Sequence, residues 1–355
     1  MKIAQVAPLC ESVPPKLYGG TERVVSYLTE ALVELGHEVT LYASADSVTH
    51  AKLRPACRTA LRLDKNSVDP VADHVRLAEQ ITREADEFEF VHSHIDYIGF
   101  PALRRIATPR VTTLHGRLDI PNLYNLFREF IDEPVISISR HQRLPLSWAN
   151  WQTTIYHGLP KTLYTLQEKS SQYLAFLGRI SPEKRVDRAI DITLRTGRRL
   201  KIAAKVDKQD REYYEQQIKP RLGSRDIEFI GEIGEHEKND FLGNASALLF
   251  PIDWPEPFGL VMIEAMACGT PVIAFANGSV PELVEDGLTG FKVRDIEQAA
   301  RAVANLDKID RTACRRRFEQ RFTAENMARN YLKVYQQLID TGMMKQSGAE
   351  TLSAS

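Results

Sequence analysis

Short apolar runs alternate with stretches of helical periodicity along the whole chain. In the first part the runs are KIAQVAP, EVTLYAS, FEFVHSH, RVTTLHG and PVISIS; in the second they are YLAFLGR, LKIAAKV, IEFIGEI, SALLFPI and PVIAFA. Such runs suit strands buried on both faces, and the helix-type stretches between them supply the cover, so the pattern predicts parallel sheets with helices on both sides. After the first run, Val24, Val25, Leu28, Ala31, Leu32 and Leu35 fall on one stripe and Gly36 ends it, as in an amphipathic helix. Between 152 and 172 the alternation loosens, which places a domain boundary there. The expected fold class is α/β, with two doubly wound Rossmann-like domains over 1–158 and 159–322. A helix over 323–342 follows, with Met327, Tyr331, Val334 and Leu338 on one face, and a disordered tail is expected over 343–355.

Composition narrows the class. At 355 residues the chain is long for one core. Apolar residues make up 43%, charged residues 26%, and the net charge is -1; this excludes a disordered chain and leaves nucleic acid no overall basic surface to bind. No apolar stretch reaches the roughly 20 residues of a membrane span, and MKIAQVAP reads as a first strand rather than a leader, so a cytoplasmic location is expected. Arg195, Arg198 and Arg199, and again Arg311, Arg315, Arg316, Arg317 and Arg321, keep open a weak peripheral contact with the inner face of a membrane. Cys10, Cys57, Cys268 and Cys314 have neither metal-type nor disulfide-type spacing.

Ligands of doubly wound sheets sit beyond the carboxyl ends of the strands, so the loops there carry the candidate chemistry. The loop after the first strand ends in Gly19 and Gly20 directly before a helix, where amides can approach an anion closely. Three spaced glycines of a dinucleotide fingerprint are missing, which excludes a Rossmann dehydrogenase. Arg179 follows YLAFLG and Lys184 lies five residues on, two cations suited to a diphosphate. His115 ends another strand and could donate to a sugar hydroxyl or a leaving oxygen; the bland alternative is a satisfied structural histidine. The sharpest anomaly is DWPEPFGLVMIEAMACGTPVIA. Pro257 marks the expected helix start and Gly269 its stop, which puts Glu264 mid-helix among Leu260, Val261, Ala267 and Cys268, with no polar stripe to occupy. A buried carboxylate is costly unless a ligand or an internal cation, such as an arginine, satisfies it.

Taken together, these residues resemble the family-4 retaining glycosyltransferases of GT-B fold. Glu256-PFGLVMI-Glu264 looks like the E-x7-E motif of that family, and EAMACGTPVIA, GSVPELVEDGLTGF, GRISPEK and YGGTE fall in its order over nearly the whole chain. The resemblance implies two domains facing across a cleft, the last helix returning to the N-terminal one, and transfer of a hexosyl group from a nucleotide-diphosphate sugar, UDP-hexose before GDP-hexose. It places Glu256 on the hexose hydroxyls, Glu264 on the ribose, and Arg179 and Lys184 on the diphosphate. The amides of Phe258, Gly259 and Leu260 would add hydrogen bonds. Gly19 and Gly20 would lie near the phosphates or the sugar, and His115 near the sugar's outer hydroxyls. The base is expected between the loop holding Lys205 and the one around Ile230 and Gly231. An unknown sugar, glycolipid or small-molecule acceptor would rest on the N-terminal domain, with His94, Arg117 and Arg140 as acceptor-side residues.

No metal or other cofactor is implied, so fixed cations and helix dipoles would stabilise the leaving group of a front-face displacement. Lys205, Val206 and Asp207 stand where many relatives have a glycine-rich turn, Arg185 replaces a small residue, and His157-Gly158 replaces Asn-Gly at the interdomain crossing. A nucleotide-sugar 2-epimerase or a non-catalytic nucleotide-sugar-binding protein is the competing reading on the same architecture.

Overall fold

The computed structural model describes residues 1–16, 19–171 and 173–353, with side chains as far as residue 342. The chain divides into two compact units, Met1–Pro160 together with Ala324–Ser355, and Lys161–Thr323.

Seven strands form the sheet of the first unit: β1 (Lys2–Val6), β2 (Glu38–Ser44), β3 (Lys52–Cys57), β4 (Phe90–Ser93), β5 (Arg110–Thr113), β6 (Val135–Ser137) and β7 (Trp151–Thr154). Their order is β3-β2-β1-β4-β5-β6-β7 and every pairing is parallel. The order reverses between β1 and β4, so the loops after these two strands leave on opposite sides and part at the sheet's carboxyl edge. Val6, Leu9, Tyr42, Leu77, Ile81 and Val91 belong to the core on one face of this sheet.

The second unit repeats the plan with β8 (Tyr173–Arg179), β9 (Arg199–Lys205), β10 (Ile227–Gly231), β11 (Ala247–Phe250), β12 (Val272–Phe275) and β13 (Gly290–Val293). Order β10-β9-β8-β11-β12-β13, again all parallel, puts the reversal between β8 and β11. β8 ends on Arg179, with Lys184 in the loop after it, and the loop after β11 carries Glu256. Leu174, Phe176, Ile190, Ile202, Leu249 and Ile273 build the core beneath.

All ten expected strands are present, and three others were not foreseen. β3, β7 and β13 each lie at the edge of a sheet. Half-solvated edge strands carry no continuous apolar run, and β3 contains Pro55 besides, so the pattern that marks buried strands does not mark them. The helix around Glu264 spans Leu260–Ala267 and starts three residues later than Pro257 suggests. Proline suits a first helical turn, but here Gly259, at φ 83°, makes the sharp bend into the helix, and no other residue adopts that conformation as readily. The last helix runs Ala324–Ser353, beyond the expected 342. The expectation of a disordered tail over 343–355 falls on side chains, and at 354 and 355 on backbone, outside the described residues.

The second arginine cluster is architectural. In the helix Arg311–Arg321, Arg311 donates to the carbonyls of Gln167, Gly243 and Ala245, and Arg315 to those of Lys161, Tyr164 and Ala267. Arg317 and Arg321 both pair with Glu285. Most of this cluster therefore holds loop ends together instead of facing a lipid surface. Arg195, Arg198 and Arg199 are exposed, with Arg195 paired to Glu297 at 2.6 Å. No helix among the described residues is long and apolar enough to cross a membrane.

Candidate active site

At the switch point of the second sheet the predicted charged residues meet. Glu256 lies in the PEPFG loop that links β11 to the helix Leu260–Ala267. Its carboxylate accepts from Lys184 Nζ, and from Trp254 Nε1 at 2.9 Å. Lys184 stands two residues before the helix Val186–Thr196, and its ammonium also lies 5.0 Å from the Trp254 ring centroid, a cation–π distance. Arg179 is surrounded by Glu183 at 2.5 Å, Asp210 at 3.5 Å and Asp207 at 3.7 Å. Lys205 pairs with Asp207 at 2.9 Å. Seven ionisable side chains thus form two ion-pair groups, Lys184 with Glu256 and Arg179 and Lys205 with Glu183, Asp207 and Asp210, none more than a third exposed. Burial pushes the Asp210 carboxyl up, with Arg179 pulling against it.

The loop that presents Glu256 is held from behind. Gly278, at φ 58°, lies so close that an added Cβ would stand 2.4 Å from both N and O of Glu256. Ser279 N donates to Glu256 O at 3.0 Å, and Ser279 Oγ to Phe258 O at 2.6 Å. Only glycine admits that approach, so the carboxylate's position is set by backbone packing as much as by its ion pair. Phe258 is buried, Gly259 caps the helix and Leu260 begins it. Ile230 is 39% exposed on the edge strand β10, and Gly231 follows it at φ 81°.

Glu264 finds its partner inside the unit. Its side chain is 4% exposed, and Lys238, from the helix Glu235–Gly243, reaches Oε1 at 2.9 Å while also pairing with Glu235 at 3.3 Å. A lysine, not the arginine suggested by sequence, satisfies the mid-helix carboxylate.

The first unit places its candidates at the strand ends of its own sheet. Gly20 opens the helix Gly20–Glu34, and an added Cβ on Gly19 would meet Pro15 Cβ at 2.8 Å. His115, after β5, donates its main-chain N–H to Asp96 Oδ1 at 3.1 Å and stacks on His157 at 5.3 Å between centroids. His115 Nε2 lies 2.9 Å from His94 Nδ1, and His94 Nε2 is 2.9 Å from Gln5 Oε1. Both nitrogens of His94 are therefore taken, and it supports His115 rather than offering a nitrogen to an acceptor. Burial holds His115 down at about 3 and His94 well below the ordinary imidazole value, while it raises Asp96 to about 6. Arg117 is exposed and bidentate to Asp119, at 2.6 and 2.7 Å. Arg140 lines a cavity of about 510 Å³ with Arg143, Ser147, Thr153, Thr154 and Tyr156. Among the described residues no group of three or more His, Cys, Asp or Glu has the placement of a metal site.

Residues 18–184 match the Glycosyltransferase Family 4 family and residues 165–321 the family Glycosyl transferases group 1, so matches run from the first helix to the end of the second unit. This chain is a GT-B glycosyltransferase of the family-4-like type.

Its relatives include an uncharacterized glycosyltransferase of Methanocaldococcus jannaschii, 26% identical over 72% of this chain and 78% of that protein. A D-inositol 3-phosphate glycosyltransferase of Kribbella flavida is 26% identical over 78% of each. Among solved structures, AviGT4, a glycosyltransferase involved in avilamycin A biosynthesis, is 27% identical, with a TM-score of 0.75 over 96% of this chain and 98% of that one.

Sequence reasoning missed several residues of this glycosyltransferase. Gln5 is a polar residue inside an apolar strand, which was a legible signal; Asp96 lies two residues after the HSH at the end of β4. Gly278 and Ser279 lay in a motif whose order was noticed but whose contact with Glu256 was not. Lys238 carried no signal, because nothing in a polar surface helix announces which buried carboxylate it reaches.

Proposed function

We propose that this glycosyltransferase moves a hexosyl group from a nucleotide-diphosphate sugar to a hydroxyl acceptor, a sugar, glycolipid or small molecule, with retention of anomeric configuration. The observation that carries the reading is the seating of Glu256. It is clamped by Gly278 and Ser279, hydrogen-bonded to Trp254 and paired with Lys184, beside the amides that open a helix.

Such a placement offers a carboxylate to hydroxyls and a cation to phosphate from one point. In the proposed front-face step the anomeric carbon–oxygen bond breaks with its electron pair passing to the nucleoside diphosphate. The acceptor oxygen bonds to the same face, and its proton passes to the departing phosphate oxygen. Arg179, Lys184 and Lys205 offset the charge that develops there, the task a metal ion would otherwise perform. These three cations face four carboxylates, Glu183, Asp207, Asp210 and Glu256. A diphosphate must therefore take cations away from carboxylates, and donor affinity should depend on that exchange. His115 is proposed to meet a ligand hydroxyl, and Glu264 the ribose.

The test is a panel of nucleotide sugars, UDP-hexoses first and GDP-hexoses second, screened for donor hydrolysis with and without added divalent metal. An acceptor screen with the best donor follows, and NMR of the product reads the anomeric configuration. Inversion at the anomeric carbon would overturn the front-face step, and turnover by Glu256→Ala at the wild-type rate would overturn the site.

A further inference from the structure

Gln5 stands in the middle of β1, fully buried between Ala4 and Val6. A buried amide left unsatisfied costs about 1–3 kcal/mol, so its partners decide why it is tolerated. Its Nε2 donates to the Tyr335 hydroxyl at 3.2 Å, and its Oε1 faces His94 Nε2 at 2.9 Å. Beyond Tyr335 the contacts continue to His92 Nδ1 at 2.6 Å, then from His92 Nε2 to Thr113 Oγ1 at 2.7 Å and on to the Tyr331 hydroxyl at 3.1 Å. On the other side His94 Nδ1 meets His115 Nε2 at 2.9 Å.

A neutral imidazole has one N–H and one lone pair, so fixing one proton in this chain fixes its neighbours. An amide oxygen only accepts. His94 therefore carries its proton on Nε2, its Nδ1 accepts, and His115 must donate from Nε2. What remains on His115 is a lone pair at Nδ1, a buried atom with no hydrogen-bond partner among the described residues. Buried polar atoms of folded proteins are nearly always satisfied, and an orphan at a strand's carboxyl end calls for a ligand or water.

We propose that Gln5 is a positioning residue: its amide, oriented between Tyr335 and His94, fixes His115 as a hydrogen-bond acceptor at Nδ1, which takes a ligand hydroxyl and disfavours a carboxylate. The identity of the ligand as a sugar rests on the transfer reading above; the order of protons rests on this unit alone. A hexosyl group with a free hydroxyl at that point donates to Nδ1. A uronosyl carboxylate has no proton to give and sets its own lone pairs against the ring's. Turning the Gln5 amide over would reverse every donor in the chain and put the proton on Nδ1. The expectation that His115 donates is thereby inverted for the neutral ring, and burial keeps the rings neutral.

The full-length protein labelled with ¹⁵N-histidine tests this directly, since long-range ¹H–¹⁵N spectra show which ring nitrogen is protonated. The expected result at pH 7 is the Nε2–H form for both His94 and His115; a cationic or Nδ1–H His115 overturns the proposal. Gln5→Glu is the decisive variant. A carboxylate beside Nε2 favours the His94 imidazolium, which then donates from both nitrogens, so His115 must accept at Nε2 and carry its proton on Nδ1. The titratable groups facing His94 are His92, His115 and His157, with Asp96 beside His115, and the substitution replaces none of them.

Expected in Gln5→Glu are an inverted His115 tautomer, a fall of at least about tenfold in kcat/KM, and an acidic limb in its pH profile that the wild type lacks. The preference for hexosyl over uronosyl donors should narrow at the same time. Should that variant fail to fold, Tyr335→Phe keeps the ring, removes the hydroxyl that holds the Gln5 amide, and should leave His115 split between tautomers. An unaltered Nε2–H His115 in the folded variants overturns the relay, even if transfer is lost, and leaves the transferase reading standing. The expected tautomers in a wild-type protein that transfers from no nucleotide sugar would support the proton order and overturn the transfer reading instead.

Discussion

At the switch point of the second sheet, Arg179, Lys184 and Lys205 are held by Glu183, Glu256, Asp207 and Asp210. At that of the first sheet the polar groups are neutral imidazoles, an amide and hydroxyls, joined in a line from Tyr331 to His115. Similar architecture thus handles buried polarity in two ways. An ionised cluster can exchange one anion for another, so a phosphate can replace a carboxylate on the same cation with the number of charge pairs kept. A neutral chain cannot exchange a member without moving protons along its length, so it holds geometry instead of trading charge. The ionised arrangement suits reversible capture of a charged ligand, the neutral one the fixed orientation of one contact.

The comparison breaks most visibly at Glu256. Glu256→Ala should lower transfer by roughly 100-fold or more while shifting the melting temperature little, because the loop is held by backbone contacts; paired activity and melting measurements check this. A smaller loss that falls on structure and activity together is expected for Gly278→Ala. The new Cβ would stand 2.4 Å from the Glu256 backbone at a positive φ, so stability should drop by about 1–3 kcal/mol and transfer about tenfold. Denaturant titration beside a transfer assay separates the two effects.

Arg179→Ala and Lys184→Ala sharpen the exchange argument. Each should raise the donor KM and lower kcat by about tenfold, since in the proposed transfer the diphosphate gains charge in the transition state. Donor KM in the wild type should also rise with salt; kinetics unchanged in both variants would reduce these residues to structural cations. Lys238→Met leaves the Glu264 carboxylate buried without that cation and should cost about 3 kcal/mol, read by denaturant titration. If Glu264 also serves the ribose, donor KM rises in the same variant.

The remaining expectation concerns pH and falls on stability rather than on transfer. His92, His94 and His115 have folded pKa values below those of the unfolded chain. As pH falls below about 6.5 the unfolded state binds more protons, and each histidine lowers stability by up to about 1.4 kcal/mol per pH unit. For His115 that loss continues down to about 3. Asp96 acts oppositely: its folded pKa is raised to about 6, so between there and its ordinary value it binds its proton more tightly when folded and offsets one histidine. Stability measured between pH 7 and 5 should fall, and His94→Gln should flatten the slope.

Much of the fold was legible in the chain because a strand buried on both faces must be apolar throughout, and nine of the ten foreseen strands announce themselves so, while β10, on an edge, alternates instead. Their alternation with helical stretches implies parallel pairing, and Arg179, Lys184 and Glu256 could be assigned to strand ends by position alone. The edge strands β3, β7 and β13 escaped because half-solvated segments need no such pattern. Tertiary structure alone decided the pairings: Lys184 with Glu256 across 72 positions, Lys238 with Glu264 across 26, and Gln5 with Tyr335 across 330. The physical reason is that local pattern reports how much surface a residue must hide. Which charge or hydrogen bond compensates a buried polar group depends on what the strand order brings beside it, and that order is a property of the folded sheet.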